Sequence, residues 1–132
     1  MVCTQCRAAA SVESWTETPV GRVVFRDVDV EFTGGAELKQ AKMPVGKPGV
    51  DARPLPAWGI YARNVAALQL EDVRLGTAKD DLRHAIICDG VKRLTLDDVH
   101  FPRVAGAADP LVLEGVGHLD ARGRRAPAAG PR

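Results

Sequence analysis

The sequence predicts an all-β fold, a β-solenoid, because one pattern of side chains is written three times. Within each copy the apolar residues alternate in steps of two, which is strand spacing, and the copies begin 26 and then 25 residues apart. A fixed period with strand alternation and no helical spacing is typical of a solenoid in which each copy forms one coil. The copies are Ile60, Ala62, Asn64, Val65, Leu68, Leu70, Val73 and Leu75 (repeat 2); Ile86, Cys88, Gly90, Val91, Leu94, Leu96, Val99 and Phe101 (repeat 3); and Leu111, Leu113, Gly115, Val116, Leu119 and Ala121 (repeat 4).

The alternation breaks at two matching places, and these breaks predict corners. Asn64, Gly90 and Gly115 are equivalent, and Asn and Gly enter positive φ at the least cost. Asp72 and Asp98 mark the second break, where a short polar side chain suits a bend. Three short strands per coil follow, at 60–62, 67–70 and 73–75 in repeat 2. The rival fold, an all-β sandwich, would give frequent turns but no position-for-position match at one period.

An earlier copy, repeat 1, is present if an insertion is allowed. Val20 to Val30 match Val65 to Leu75 at a constant offset of 45, which exceeds the period of 26 by 19 residues. The segment 33–57, rich in Gly and Pro, therefore carries a loop insertion outside the coils. The same offset places Trp15 over Ile60 and Glu17 over Ala62, an inward position that does not suit a carboxylate.

These matches divide the chain into three parts. Residues 1–14 are predicted to be an irregular N-terminal segment, 15–121 to form about four coils of roughly 25 residues, and 122–132 to be a disordered basic tail. Equivalent residues should stack in columns about 4.8 Å apart, which is the spacing between strands. The predicted columns are Ile60, Ile86 and Leu111; Ala62, Cys88 and Leu113; and Val23, Leu68, Leu94 and Leu119.

Composition argues against several classes of partner. The net charge is +1, but four of the 18 basic residues follow Ala121, which leaves 14 basic against 17 acidic residues in the body. A slightly acidic body with mixed signs argues against a nucleic-acid interface. No apolar run approaches the length of a transmembrane helix, and the N-terminus lacks the pattern of a signal peptide.

The residues that most often carry chemistry have simpler interpretations here. Cys3 and Cys6 form a CxxC without a second ligand pair, so neither a metal site nor another cofactor is predicted, and Cys88 falls on an inward core position. The histidines do not repeat and are expected at the surface: His84, His100 and His118. The pair Asp97–Asp98 contains a corner residue, and Asp80–Asp81 is interpreted as a solvated loop.

Trp58, Tyr61 and Arg63 are the candidate substrate-binding residues. Tyr61 and Arg63 alternate opposite to Ile60 and Ala62, so both should face outward, and Trp58 directly follows the insertion. An exposed aromatic ring beside an arginine suits the apolar face of a sugar and a uronate carboxylate. The alternative is that the insertion folds back and buries Trp58 and Tyr61 against the coil wall.

With the repeats placed, residues 20–121 resemble the C-terminal coils of glycoside hydrolase family 28, the polygalacturonase and rhamnogalacturonidase group. The order carries the resemblance: a coil GRVVFRDVDVEFTGG, a long Gly/Pro-rich loop, a segment LPAWGIYARNV, and a coil HAIICDGVKRLTLDDV. The resemblance implies a right-handed parallel β-helix, pectic polysaccharide as the substrate class, and a secreted or periplasmic parent protein.

The catalytic motifs of that family are missing from this chain. They are Asn-x-Asp, Asp-Asp, Gly-His-Gly and Arg-x-Lys on more N-terminal coils; the only asparagine is Asn64, and His118 is followed by Leu119. No catalytic residue is therefore assigned, and the expected function is a C-terminal solenoid fragment of a pectin-degrading enzyme, inactive alone. The alternative is a non-catalytic module that binds acidic polysaccharide or a protein partner, with self-association through an uncapped first coil.

Overall fold

A computed structural model describes residues 2–6, 9–14, 19–42, 55–102 and 104–122. Within these residues the fold is all-β, as the sequence predicts, with a parallel sheet and one 3₁₀ helix at Leu38–Lys42. The strands are β1 Val2–Cys6, β2 Ala10–Glu13, β3 Val20–Gly34, β4 Ala57–Lys79, β5 His84–His100, β6 Leu111–Glu114 and β7 His118–Arg122.

Strand pairing follows the predicted period. β3 pairs with β4 at the offset of 45, from Val20 with Val65 to Gly34 with Lys79. β4 pairs with β5 at an offset of 26, and β5 pairs with β6 and β7 at an offset of 25. Every pairing is parallel, so residues at equivalent positions of successive repeats lie side by side. The register predicted from the alternation is confirmed.

The corners lie at the predicted residues. Asn64 has φ +58°, and its equivalents Gly90 and Gly115 have φ +73° and +62°. At the second break Asp72 and Asp98 have φ +50° and +58°. β4 and β5 are therefore long strands that each contain two residues with positive φ. Each of these residues changes the direction of the chain, and the pairing with the neighbouring repeat continues on both sides of it.

The inward columns form the main core. Ile60 and Ile86, Ala62 and Cys88, and Leu68 and Leu94 are paired in register and buried almost completely. Repeats 1 and 4 contribute partly buried members, including Val23, Leu113 and Leu119. Burial of one such aliphatic side chain contributes on the order of 1.5–3 kcal/mol, so these columns dominate the stabilisation of the fold.

The N-terminal segment differs from the prediction of irregular structure over 1–14. β1 pairs with β3, and β2 pairs with β4 with Ala10 beside Ile60 and Val12 beside Ala62. The offset between β2 and β4 is therefore 50, five more than the offset between β3 and β4. The segment between Glu13 and Val20 is accordingly five residues longer than its counterpart between Arg63 and Val65. Val12 occupies the inward position that an offset of 45 would give to Glu17. Trp15 and Glu17 lie outside the described residues.

Ser14 joins the start and the end of this longer segment through hydrogen bonds to Val20 and to Asn64, the corner residue of repeat 2. Its hydroxyl donates to the carbonyl oxygen of Asn64 over 2.7 Å and accepts from the N–H of Val20 over 3.1 Å. The Asn64 amide in turn donates to the carbonyl oxygen of Ser14 over 2.7 Å. β2 and β3 thus both stay in register with β4, although the segment between β2 and β3 does not follow the repeat pattern.

The insertion and the tail are described in part. β3 continues to Gly34, the 3₁₀ helix follows, and the chain returns at Leu55 to enter β4 at Ala57. Of the predicted tail, Arg122 ends β7, and 123–132 lie outside the described residues. No helix in the described ranges has the length and hydropathy needed to cross a membrane.

Candidate functional site

Trp58 lies in the main core instead of facing a ligand. Its side chain is 4% exposed. The indole packs edge-on against Phe32, with ring centroids 5.6 Å apart and an interplanar angle of 69°. An aromatic pair in this T-shaped arrangement contributes favourably beyond its buried area. Of the two alternatives for Trp58, the structure has the buried one.

Tyr61 faces outward from the coil wall, as predicted, but a second apolar cluster covers it. The side chain is 3% exposed and packs with Leu55 and Ala57 from the end of the insertion and with Ile87 on β5. Ala9 and Val112 complete the cluster. The insertion therefore returns over Tyr61 and leaves only a small part of this residue accessible.

Arg63 belongs to a column of charged residues on the same outer face. Strand register places Glu13, Arg63, Asp89 and Glu114 side by side in that order. The Arg63 guanidinium lies 3.8 Å from a carboxylate oxygen of Glu13, and the Glu13 side chain is nearly buried. Alternation of sign along Glu13, Arg63 and Asp89 stabilises the column, whereas Asp89 and Glu114 are neighbouring like charges.

This environment raises the pKa of Tyr61. Burial is the largest cause, and the carboxylates of Asp89 and Glu13 raise the pKa further. Arg63 acts in the opposite direction through its charge and its hydrogen bond to the tyrosine side chain. Tyr61 is therefore a neutral, hydrogen-bonding phenol across the physiological pH range.

A cavity of about 280 Å³, called here the Tyr61 pocket, opens between these residues and the insertion. Its floor is formed by Tyr61, Ile87 and Val112, and its charged groups come from the column and from Lys42. Such a volume is close to the lower limit for small-ligand sites. The lining residues are Ala41, Lys42, Pro56, Tyr61, Arg63, His84, Ile87, Asp89, Val112 and Glu114.

His84 is oriented by a backbone contact. Its Nδ1 lies 2.6 Å from the carbonyl oxygen of Asp109, and because a carbonyl can only accept, Nδ1 carries a proton and donates. The other two histidines lie elsewhere: His100 contacts the Asp98 carboxylate over 2.9 Å, and His118 begins β7. Sequence reasoning missed His84 as a pocket residue because nothing periodic shows where the insertion packs.

Asp81 is buried, contrary to the interpretation of Asp80–Asp81 as a solvated loop. Asp80 is exposed, but Asp81 is only 1% exposed and forms an ion pair with Arg83 over 2.8 Å. The prediction was wrong for Asp81 because the insertion packs over this segment and shields it from water. A cavity of about 250 Å³ lies beside the pair, on the side of Trp58 and Asp109.

The remaining candidates have structural roles. Burial raises the pKa of the Cys88 thiol to about 12, so Cys88 is an inert core residue, as predicted. Cys3 and Cys6 lie in β1, where the structure describes only their backbone. Within the described ranges, no group of three His, Cys, Asp or Glu residues is arranged to hold a metal ion.

Comparisons of the chain with protein-family models, with curated proteins and with solved structures found no match.

Proposed function

We propose that the chain is a right-handed parallel β-helix of about four coils and forms the C-terminal coils of a pectin-degrading enzyme similar to glycoside hydrolase family 28. One observation carries the proposal: successive strands stack in register, and the insertion falls between repeats 1 and 2, in the order that the resemblance requires. Parallel strands joined by left-handed corner residues are what a coil of three short strands needs.

In this role the chain supports a reaction that other coils carry out. It lacks the catalytic motifs of the family in its sequence, and its Asp97–Asp98 pair includes a corner residue. Its contribution is to extend the β-helix and to present a wall to the polysaccharide. The chain alone is therefore expected to release no reducing sugar from polygalacturonate.

The wall that meets the saccharide is proposed to be the Tyr61 pocket. Val112 and the small uncovered parts of Tyr61 and Ile87 offer an apolar surface to a sugar ring, and Arg63 and Lys42 offer cations to a uronate carboxylate. Asp89 and Glu114 can accept hydrogen bonds from hydroxyl groups. Of the three predicted residues, Tyr61 and Arg63 belong to this site, whereas Trp58 supports the core below it.

The first experiment measures activity and binding on the same purified chain. We expect no reducing ends from polygalacturonate and weak, salt-sensitive binding of trigalacturonate by calorimetry. Arg63→Met should weaken that binding by about tenfold or more, because a charge-assisted hydrogen bond is lost. Arg93→Met is the matched control, since Arg93 is an exposed arginine of β5 that does not line the pocket.

Two results would contradict the proposal. Heat-sensitive hydrolysis by the chain itself would mean that it contains its own catalytic residues, and Asp80, Asp81, Asp97 and Asp98 would be the first to substitute. Equal binding by wild type, Arg63→Met and the double variant Glu13→Gln/Arg63→Met would place the saccharide elsewhere. The double variant is included because Arg63→Met alone leaves the nearly buried Glu13 carboxylate without this cation.

The second candidate is a non-catalytic binding or assembly module. The Tyr61 pocket favours it, because a cavity lined by charged groups is present without any of the catalytic motifs. Such a module would bind trigalacturonate as tightly alone as when joined to the remaining coils. A component of a larger enzyme should instead gain affinity when the preceding coils complete the groove, so the same calorimetry on both forms distinguishes the two.

A further inference from the structure

Both ends of the insertion are attached to the same four residues, 81–84, called here the anchor segment. Where the chain enters the insertion, called here the leading side, the N–H of Leu82 donates to the carbonyl oxygen of Ala36 over 3.1 Å. Where the chain leaves the insertion, called here the returning side, the N–H of His84 donates to the carbonyl oxygen of Pro56 over 3.2 Å. The insertion is thus closed at its base by the chain that joins repeat 2 to repeat 3.

Asp81 and Arg83 form the centre of this attachment. The Asp81 carboxylate accepts hydrogen bonds from the Arg83 N–H over 3.0 Å, from Nε over 2.9 Å and from Nη2 over 2.8 Å. The backbone of Ala36 acts on the same carboxylate and lowers its pKa. The other Arg83 nitrogen, Nη1, donates to the carbonyl oxygen of Leu55 over 3.1 Å. The ion pair therefore contacts Leu55, where the chain returns from the insertion, and the neighbouring Leu82 is hydrogen-bonded to Ala36, where the chain enters it.

The loop between repeats 3 and 4 is attached to the same segment. The N–H of Ala108 donates to the carbonyl oxygen of Leu82 over 3.0 Å, and His84 contacts the carbonyl oxygen of Asp109. Asp81 and Arg83 lie between the end of β4 at Lys79 and the start of β5 at His84. The anchor segment is therefore a separate polar contact between loops, outside the columns that stabilise the strands.

We propose that Asp81 and Arg83 are positioning residues for the Tyr61 pocket. They hold the base of the insertion, and the insertion supplies Lys42 and Pro56 to the rim of that pocket and Leu55 to the cover of Tyr61. Burial of a charge is tolerated only when it is paired and hydrogen-bonded, so this pair has one stable geometry and fixes the loop ends in it. The choice of saccharide as ligand rests on the proposed function; the positioning of the pocket does not.

The test compares Asp81→Asn with Asp80→Asn, which removes the same charge from the exposed neighbouring residue. Hydrogen exchange is followed at the amides of Leu82 and His84, which donate to the insertion, and at Leu68 and Leu94 in the core. We expect exchange at Leu82 and His84 to accelerate at least tenfold in Asp81→Asn while the core amides keep their protection. Asp80→Asn should behave as wild type.

A second measurement reports the pocket without any ligand. Tyr61 is the only tyrosine of the chain, so the absorbance of tyrosinate on alkaline titration measures its pKa directly. Loss of the cover over Tyr61 should lower its raised pKa toward the ordinary value in Asp81→Asn, and trigalacturonate binding should weaken in parallel. Arg83→Lys, which keeps the charge but not the fork of donors, should give an intermediate effect on both.

Asp81→Asn leaves the Arg83 guanidinium buried without a counter-charge, so the double variant Asp81→Asn/Arg83→Gln is measured with it. An unchanged Tyr61 titration and unchanged exchange at Leu82 and His84 in both variants would overturn the inference. So would equal acceleration at Leu68 and Leu94, since that would show a role in global stability. If the anchor effects appear but no protein binds trigalacturonate, the positioning inference stands and the proposed ligand is wrong.

Discussion

Single residues at the corners decide where the chain of each repeat turns. The corner before Val65, Val91 and Val116 holds Asn64, Gly90 and Gly115, and all three have positive φ. A residue with a Cβ in this region costs about 1–2 kcal/mol, and Asn and Asp meet that cost best because their short side chains form local hydrogen bonds. The residue type at this corner is therefore limited by the backbone conformation and not by burial.

Gly90→Ala should destabilise the chain by about 1–3 kcal/mol. Gly90 has φ +73°, and an added Cβ would lie 2.8 Å from the side-chain oxygen of Asn64, in the neighbouring repeat. Gly76→Ala is the control, because Gly76 has ordinary φ and no atom within 4 Å of the added Cβ. Urea unfolding followed by tryptophan fluorescence measures both. Equal stability of the two variants would mean that the corner is not strained by a side chain.

The Tyr61 titration should separate the effects of the charged column. The wild-type midpoint should lie above 10, the ordinary tyrosine value, because burial and the carboxylates of Asp89 and Glu13 raise the pKa. Glu13→Gln should lower the midpoint and Arg63→Met should raise it, since Arg63 stabilises the phenolate. Because the folded pKa is raised, Tyr61 favours the fold up to about pH 10, and this contribution is lost as pH rises through the folded midpoint. A midpoint unaffected by both variants would contradict the described geometry.

At the level of strands and loops, the periodic part of the fold is predictable and the aperiodic part is not. The columns and corners from Val20 to Ala121 follow from alternation and turn chemistry, because each residue type there reports its own local position. β2 was not predicted, since five extra residues before Val20 shift its offset from 45 to 50. Neither the burial of Asp81 nor the cover over Tyr61 has a periodic signal, because both depend on the path of the insertion.

The anchor segment between these loops should make the local stability of the base of the insertion depend on pH. Burial alone would raise the pKa of Asp81, but its hydrogen bonds and ion pair with Arg83 outweigh burial and lower it. A lowered pKa means that the carboxylate stabilises the fold above about pH 4, and that this contribution is lost as pH falls through the folded pKa. The free energy of local opening at Leu82 and His84 should therefore be larger in wild type than in Asp81→Asn by about 1.4 kcal/mol or more at pH 7, which corresponds to the tenfold difference in exchange expected above.

That difference should shrink as the pH is lowered from 5 to 2. Amide exchange at Leu82 and His84 in wild type and Asp81→Asn at several pH values measures it, with Asp80→Asn as the control for a general charge effect. Asp109 also lines the cavity beside the pair, but it is present in all three proteins. A constant difference between wild type and Asp81→Asn over the whole range would show that Asp81 is not stabilised as a carboxylate.

The whole molecule is a stack in which each repeat is buried by its neighbours. Repeat 3 lies between repeats 2 and 4, and its inward residues Cys88, Val91 and Leu94 are fully buried. The equivalent residues of repeat 4, Leu113, Val116 and Leu119, are only partly buried. In the described part of the chain, no strand pairs with the far side of β6 or β7. Among the described residues, that side is a sheet edge without a partner strand and has apolar residues beneath it, which is the kind of surface on which another strand can dock.

A second copy stacked in register on this edge would meet a charge conflict. Continuing the same columns places its Ala10 beside Leu111 and its Val12 beside Leu113, which suits an apolar core. The same register places its Glu13 beside Glu114, and like charges directly opposite each other are destabilising. Self-stacking should therefore be weak at low ionic strength.

Reversing one of these charges should reverse the outcome. Glu114→Lys would place a cation opposite Glu13 of the second copy, so association should increase, and salt should diminish that increase by screening the pair. Light scattering at several protein and salt concentrations measures the association. Glu37→Lys is the control, because Glu37 is an exposed residue of the insertion and carries the same charge change. If Glu114→Lys and Glu37→Lys associate equally, the edge of β6 is not the contact surface, and the stacked register is wrong.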